Sequence, residues 1–260
     1  MLKAYIETFQ KYKYLLFNLI SRDFRVKYRR SVLGILWSML NPILMMLILN
    51  AVFSRVFRFQ IENFALYLIS GQILFTFFNE ATSSAIFSIV EASALIKKVY
   101  IPKYIFPLEK VLFAFVNLLF SLSAIIVMLF IFKVPFSWTM LLFFIPLLEM
   151  LLFSCGFSLV ISCLCVFFRD LKHLYSVIIT AWMYMTPIIY PISIVEGSWI
   201  RYIVYLNPLT TYVETFRSVV MYGQLPSAEQ LLVGLGYGVI FMVFGLVVFR
   251  KGQDKFILYV

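Results

Sequence analysis

The chain has 260 residues, of which 63% are hydrophobic and only 13% charged, with a mean hydropathy of +0.97 and a net charge of +10. Soluble domains are about 45–50% apolar and about 25% charged, so this composition excludes an ordinary water-soluble protein. Nucleic acid is not an expected partner, because the cations gather at the ends of apolar stretches, where membrane topology and anionic lipid headgroups account for them.

Residues 1–31 are predicted to form an amphipathic helix in the cytoplasmic interface of the membrane. Its apolar side chains recur at the spacing of one helical face, and they are Tyr12, Leu15, Leu16, Leu19 and Ile20. The first of two interpretations is an anchor whose cations only meet lipid phosphate. In the second, the basic end of the helix receives an anionic substrate head group or a partner protein, through Arg22, Arg25, Lys27, Arg29 and Arg30.

Residues 32–260 are predicted to form a transmembrane domain. Six stretches reach the roughly 20 apolar residues that cross a bilayer: Val32–Phe53, Phe64–Val90, Val111–Phe132, Phe136–Phe168, Leu174–Ile194 and Leu231–Phe249. Most of the Lys and Arg residues then lie on the side of the amino terminus, so the positive-inside rule places both termini in the cytoplasm. The exceptions are Arg55, Arg58, Lys133, Arg201 and Arg217. The expected fold is an all-α integral membrane protein with six transmembrane helices.

Two acidic residues, Glu80 and Glu149, fall inside the predicted spans, where a charge is costly. Neither has an obvious cationic partner within a span. Conduit lining or a neutral, hydrogen-bonded acid is therefore favoured over the proton relay of a secondary carrier. Three cysteines in the fourth span, Cys155, Cys163 and Cys165, are interpreted as buried packing residues, and no metal site is expected.

Two segments between the spans have an unusual composition. Residues 95–107 contain Pro102 and Pro107, which restrict the residues before them and stop either neighbouring helix from extending. A short, stiff, basic element of this kind suits docking into another protein, although an ordinary basic loop has the same composition. Residues 195–225 are predicted to be two short apolar helices broken at Asn207-Pro208. They form either a re-entrant pair or an interfacial anchor rich in Trp and Tyr.

The sequence lacks the residues of an enzyme or a motor. It has no G-x-x-x-x-G-K-[ST] phosphate loop, so ATP cannot bind by that route. It has a single histidine, and no paired carboxylates or Ser-His-Asp set for acid–base or nucleophilic catalysis. The energy for any transport is therefore expected to come from another polypeptide.

The run Arg22-Asp-Phe-Arg-Val-Lys-Tyr-Arg-Arg-Ser-Val-Leu-Gly-Ile-Leu-Trp-Ser-Met-Leu-Asn-Pro42 resembles the opening signature of the permease subunits of ATP-binding-cassette exporters for O-antigen, capsule and teichoic acid. Three further segments resemble the same family in the expected order: Ile96–Pro107, Phe167–Asp170, and Thr186–Tyr190 with Asn207-Pro208. The resemblance covers essentially the whole chain.

This resemblance implies the membrane subunit of an exporter in the bacterial cytoplasmic (inner) membrane, moving a polyprenyl-diphosphate-linked glycan or teichoic acid outward. It implies a homodimer enclosing a conduit, surrounded by membrane lipids, with two ATPase subunits that carry the ATP and Mg. No cofactor is expected on this chain. The 195–225 segment would cap the conduit exit. A coupling helix would fit a groove on the ATPase through Lys97, Lys98, Val99, Tyr100, Ile101, Pro102 and Lys103.

Aromatic residues make up 19% of the chain, and sugars stack on aromatic faces. The candidate conduit aromatics, on the outer halves of spans two and five, are Tyr67, Phe75, Phe78, Tyr184 and Tyr190. A drug or lipid exporter permease of the same superfamily is an alternative, and a lateral apolar cleft would favour it over a polymer exporter. A membrane-embedded glycolipid enzyme is a second alternative, although no Asp or Glu cluster lies at a membrane face.

Overall fold

The computed structural model describes residues 2–29, 31–56, 61, 63–99 and 101–259, without the side chains of residues 2–10, 55, 56 and 257. Within these ranges the regular structure is entirely helical, which confirms the predicted class. The α-helices are α1 Leu2–Tyr28, α2 Leu36–Val56, α3 Phe64–Ala85, α4 Ser88–Glu91, α5 Ser93–Ile96, α6 Ile105–Ile131, α7 Phe144–Phe167, α8 Leu171–Met185, α9 Ile200–Leu206, α10 Pro208–Val220, α11 Ala228–Gly252 and α12 Phe256–Tyr259. Short 3₁₀ helices cover Trp138–Phe143, Ile192–Val195 and Gln253–Lys255.

Four helical stretches are long and apolar enough to cross a bilayer: Leu36–Ser54, Ile105–Ile131, Trp138–Phe167 and Ala228–Lys255. They correspond to the first, third, fourth and sixth predicted spans. Helix α3, in the second predicted span, has 22 residues but is less apolar, since it includes Gln72, Asn79 and Glu80. The protein is therefore an all-helical, multi-pass membrane protein.

The fifth predicted span, Leu174–Ile194, is wrong as a continuous helix. Helix α8 ends at Met185 because Thr186, the residue before Pro187, is extended with φ −99° and ψ 132°. Its 15 residues are about 22 Å long, short of the roughly 30 Å hydrocarbon core. The chain continues in turns through Tyr190 before the 3₁₀ helix at Ile192–Val195.

Helix α3 lies at the centre of the protein and packs against α2, α6, α7, α8 and α10. Most of its residues from Ala65 to Ala85 are buried, whereas Thr76 and Ser83 are exposed. Phe78 illustrates the packing, since its ring lies 5.6 Å from that of Phe153 and 5.1 Å from that of Trp182. Because lipid is as apolar as these side chains, van der Waals contact of this kind rather than a hydrophobic force holds helices together in a bilayer.

Helices α7 and α11 make the most extensive contact in the described chain, and glycines allow their backbones to touch. A Cβ atom on Gly156 would overlap the Phe241 carbonyl, and one on Gly245 would overlap the Gly156 carbonyl. Small residues at helix crossings permit such close approach in membranes. The three cysteines of α7 are buried free thiols, as predicted for packing residues.

The segment after α8 forms two helices broken at Asn207-Pro208, as predicted. The Asn207 side chain accepts a hydrogen bond from the Leu209 amide at 3.0 Å, and Pro208 occupies the first helical position, where its missing N–H costs nothing. Helix α9 is mostly exposed, whereas α10 is buried against α3, α7 and α11.

Candidate functional site

The apolar face of α1 packs against the protein itself. Leu16 and Leu19 are buried in a cluster with Ile101, Ile105 and Phe106. The other apolar residues of the predicted face are partly buried against the same cluster, and they are Tyr12, Leu15 and Ile20. The helical face is therefore confirmed, and its partner is the start of α6 together with the loop that precedes it. This contact makes α1 and that loop one packed unit.

Ion pairs fasten the end of α1 to α6. Asp23 accepts hydrogen bonds from Lys110 and, at 2.9 Å, from Arg22, and Lys110 also lies 3.3 Å from Glu109. Burial raises the pKa of the Asp23 carboxyl, but the hydrogen bonds and charges of Lys110 and Arg22 outweigh burial and bring its pKa below the ordinary value. Asp23 therefore stays ionised at neutral pH.

Glu80 has a cationic partner that comes from α1 rather than from a span. Lys27 donates to the Glu80 carboxylate at 2.6 Å, and Asn117 of α6 donates to the same oxygen at 3.0 Å. One carboxylate thus joins α1, α3 and α6. The Lys27 ammonium is thus paired with a carboxylate of another helix, whereas Arg22 pairs with Asp23 of α1 itself.

The arginines on the other side of α1 line an open groove of about 740 Å³. Arg22, Arg25 and Arg29 contribute its charge, and its remaining lining residues are Phe24, Val26, Tyr28 and Ile35. The structure therefore brings three of the five predicted head-group residues together beside aromatic rings. Lys27 is directed to Glu80, and Arg30 lies outside the described residues.

In the predicted coupling segment, residues 95–107, some side chains are exposed and others contact the rest of the protein. Lys97, Lys98 and Val99 are exposed beyond α5, whereas Ile101 is buried against α1. Lys103 is half-buried and donates to the backbone carbonyl of Gln253 at 2.6 Å. Pro102 is half-buried, and Tyr100 lies outside the described residues. Among the described residues of the predicted coupling set, the exposed ones are therefore Lys97, Lys98 and Val99.

The candidate conduit aromatics divide into two groups. Tyr67, Phe75 and Phe78 are buried because α3 is the central helix of the chain, so in this conformation they are not accessible to a polymer. Tyr184 is 63% exposed, and Tyr190 donates its hydroxyl to the Tyr184 carbonyl at 3.0 Å. These two tyrosines line a groove of about 320 Å³ with Phe53 of α2.

Sequence reasoning missed the role of Arg217, which was placed outside the membrane by charge counting. Its side chain is the largest that is fully buried in the described chain. The guanidinium donates to the carbonyl of Pro187 at 2.7 Å, to that of Tyr67 at 2.9 Å and to the Glu214 carboxylate at 2.7 Å. It also lies 3.4 Å from the centroid of the Tyr67 ring. A Cβ on Gly71 would lie 2.6 Å from this guanidinium, so the glycine makes room for it.

Asn207 completes the same connection from the other end of α10. Its side-chain oxygen accepts from the Trp182 indole at 2.8 Å, and its nitrogen donates to the Thr186 hydroxyl at 2.9 Å. Arg217 and Asn207 together tie α10 to α8 and to the Thr186–Tyr190 segment. The only sequence signal for this was the pairing of Glu214 and Arg217 three residues apart on an otherwise apolar helix face.

Glu149 of α7 is buried beside α11, where a Cβ on Gly234 would overlap its carboxyl. The hydroxyl of Tyr212 donates to the Gly234 carbonyl at 3.0 Å, close to the same carboxyl. Within the described part of the chain, one Glu149 oxygen has no hydrogen-bond partner. A charge on Glu149 would be costly at this buried position, and a neutral acid there stays a prediction.

Residues 14–221 match the family described as ABC-2 type transporter. The chain belongs to this family. The chain is also 32% identical over 246 residues to the O-antigen export system permease protein RfbA of Klebsiella pneumoniae, which covers 93% of each protein. It is 28% identical to RfbA of Myxococcus xanthus over 98% of each, and 21% identical to the polysialic acid transport protein KpsM of Escherichia coli over 91% of this chain and 92% of that protein.

The ABC-2 match covers some of the elements described above and leaves others outside. It includes the basic end of α1, the coupling segment and the Arg217 connection, and it ends at residue 221. Helix α11 and residues 253–259 lie beyond it, although the curated relatives align over more than nine-tenths of the chain.

Proposed function

We propose that this ABC-2 transporter chain is the transmembrane subunit of an ATP-driven exporter for a cell-envelope polysaccharide or teichoic acid carried on a polyprenyl diphosphate. The observation that carries this proposal is the similarity over nearly the full length to permeases named for O-antigen and polysialic acid. The polymer moves outward across the bacterial cytoplasmic membrane.

In this proposal the chain crosses the membrane six times with both termini in the cytoplasm. Besides the four apolar stretches, α3 crosses, because it packs against α2, α6 and α7, which belong to three of those stretches. The fifth crossing consists of α8 and the turns that follow it. Helices α9 and α10 are re-entrant, and the contacts of Arg217 with the buried carbonyls of Pro187 and Tyr67 support this, since broken backbone at membrane depth must be satisfied by protein.

The head group of the lipid carrier binds in the groove lined by Arg22, Arg25 and Arg29, with Arg30 as a further cation. A diphosphate needs several charge-assisted hydrogen bonds, and arginine forks supply them with directionality. The groove of about 740 Å³ lies between α1 and the start of α2, so its position suits a ligand whose tail stays in the membrane.

Two protomers form the conduit, and two ATPase subunits that carry ATP and Mg drive it. Helix α2 supports a dimer, since only 6% of its most apolar window is buried within the protomer. The groove that joins Phe53 of α2 to Tyr184 and Tyr190 supplies aromatic surface at the same face. The exposed residues Lys97 and Lys98 contact the ATPase.

The test of this function is ATP-dependent movement of lipid-linked polysaccharide into sealed proteoliposomes that contain the permease and its ATPase. Lys97→Glu with Lys98→Glu is expected to leave insertion intact and to reduce export about tenfold or more, because two charge reversals oppose a complementary partner surface. Lys11→Glu with Lys13→Glu is the matched control of equal charge change, on exposed residues of α1. Absence of ATP-dependent export by the unmodified complex would refute the proposed function.

One observation favours a lipid or drug exporter as a second candidate. An apolar groove of about 530 Å³ lies between α6, the Trp138–Phe143 helix and α10, and its lining includes Phe130, Phe143 and Phe216. Such a groove suits a hydrocarbon chain. The two candidates differ in what stimulates ATP hydrolysis: a glycan-bearing carrier in the first case, and the same carrier without glycan in the second.

A further inference from the structure

Residues 253–259 fold back against α7 and the loop before α6. Phe256 is fully buried, and its ring lies 5.3 Å from that of Phe249 and 5.9 Å from that of Phe167. The turn begins at Gly252, where a Cβ would lie 2.5 Å from the Cys163 sulfur. The close approach leaves little freedom between this segment and α7.

Lys103 joins the coupling segment to these residues. Its ammonium donates to the Gln253 carbonyl at 2.6 Å and lies 5.6 Å from the centroid of the Phe256 ring. A carbonyl at the end of a helix and an aromatic face are both favourable partners for a cation. Lys103 is half-buried, whereas Lys97 and Lys98 are exposed, so the three lysines of one short segment have different surroundings.

The coupling segment is wedged between two apolar clusters. Ile96 and Tyr104 contact the cluster that contains Phe249 and Phe256, and both also contact the cluster that α1 forms with Ile101. The segment is thus held on one flank by α1 and on the other by residues 253–259. Its exposed residues project between these two attachments.

A second contact connects residues 253–259 to the Phe167–Asp170 segment between α7 and α8. Arg169 donates to the Tyr259 carbonyl at 3.1 Å, and the rings of Phe167 and Tyr259 lie 5.0 Å apart. Residues 253–259 therefore bridge three places: the end of α11, the end of α7 and the coupling segment.

We propose that residues 253–259 act as a clamp and that Lys103 is a positioning residue for coupling, holding the loop to α7 and α11. The loop also packs with the start of α6, since Ile101, Ile105 and Phe106 share one buried cluster. With the clamp closed, a displacement of Lys97 and Lys98 by the ATPase moves α7 and α11 as well. The inference rests on the proposed function for the identity of the ATPase partner, while the contacts that define the clamp belong to this chain.

The test measures export per ATP hydrolysed in proteoliposomes that contain the complete complex. Lys103→Met keeps the aliphatic stem and removes the charge, and it is expected to lower this ratio about tenfold through loss of a charge-assisted hydrogen bond. ATPase binding and hydrolysis stay near the unmodified level. Lys103→Arg should restore most of the ratio, and Lys133→Met, the same change at an exposed lysine, should leave it unchanged.

A cross-link tests the clamp while Lys103 and Phe256 stay in place. Leu95→Cys in the coupling segment and Lys255→Cys, both at exposed positions, are joined by a cleavable thiol-reactive linker, since the native cysteines are buried. If the loop and residues 253–259 move as one body, the linked complex exports at the same rate before and after the linker is cleaved. If linking stops export, the loop slides past the segment and the clamp is refuted. This measurement also covers the case in which Lys103→Met fails to insert.

Three further outcomes separate this inference from the proposed function. An unchanged ratio for Lys103→Met in a complex that exports polysaccharide overturns the clamp alone. Loss of ATPase binding in Lys103→Met also overturns it, because Lys103 is then a docking residue. A complex that hydrolyses ATP but exports no polysaccharide in its unmodified form refutes the proposed function instead.

Discussion

Replacement of Arg217 by Ala removes one side chain that holds three separate segments together. The change removes the guanidinium hydrogen bonds to the carbonyls of Tyr67, Pro187 and Ile188, and it removes the cation over the Tyr67 ring. Hydrogen bonds between membrane helices average about 0.6 kcal/mol each, and a desolvated cation–π contact contributes about 2 kcal/mol. The loss of the Glu214 pair adds little, because that carboxylate is partly exposed. We therefore expect Arg217→Ala to destabilise the protein by about 3–5 kcal/mol.

The assay is thermal unfolding of the detergent-solubilised protein, followed by size-exclusion chromatography of heated samples. For a domain of this size, 1 kcal/mol corresponds to roughly 2–4 °C, so the midpoint should fall by roughly 10 °C. Arg201→Ala is the matched control, since Arg201 is exposed on α9, and it should change the midpoint little. Arg217→Lys should lie between the two, because one ammonium cannot reach all of the carbonyls. A midpoint for Arg217→Ala within about 2 °C of the unmodified protein would refute the reasoning.

Three further predictions concern other contacts. Arg25→Glu should lower substrate-stimulated ATP hydrolysis of the complex about tenfold, whereas Lys13→Glu should not; equal effects would leave only the lipid-anchor interpretation. Gly245→Leu should abolish the yield of folded, monodisperse protein, because the leucine side chain would meet the α7 backbone. Gly236→Leu should be tolerated, because the space around Gly236 is open. A normal yield from both variants would contradict the α7–α11 contact. Because the pKa of Asp23 is lowered, its stabilisation of α1 is fully present above pH 3.8 and is lost as the pH falls further. The protection factors of the α1 amides, which are exchange rates corrected for the intrinsic pH dependence of exchange, should therefore be constant from pH 7 to pH 5 and should be smaller in Asp23→Asn; equal protection factors in the two proteins would contradict it.

The sequence predicted best those features that depend on neighbours along the chain. The apolar face of α1 was recognisable because Leu16 and Leu19 recur at helical spacing, and the helix break at Asn207 was recognisable from the proline that follows it. The end of α8 at Met185 had an equally local cause in Pro187, but the apolar run that continues past the proline concealed it.

Features that depend on distant parts of the chain were not predictable. The contacts of Arg217 could not be predicted, because its acceptors belong to Tyr67 and Pro187, which no local pattern associates with α10. The lysines of the coupling segment also looked equivalent. Lys103 differs from Lys97 only through a carbonyl 150 positions away, at Gln253. The central position of α3, which buries Tyr67, likewise follows from packing and not from composition.

The direct backbone contact at Gly156 and Gly245 limits which helices around the proposed conduit can move. Most helix pairs are spaced by side chains, which change rotamer and so absorb a rotation or a slide of one helix over the other. At Gly156 and Gly245 no side chain separates α7 from α11, because each glycine faces peptide atoms of the other helix. We therefore expect α7 and α11 to move together as one rigid unit. Any widening that admits a bulky sugar has to come from helices with looser attachment, of which the sparsely buried α2 is the clearest example.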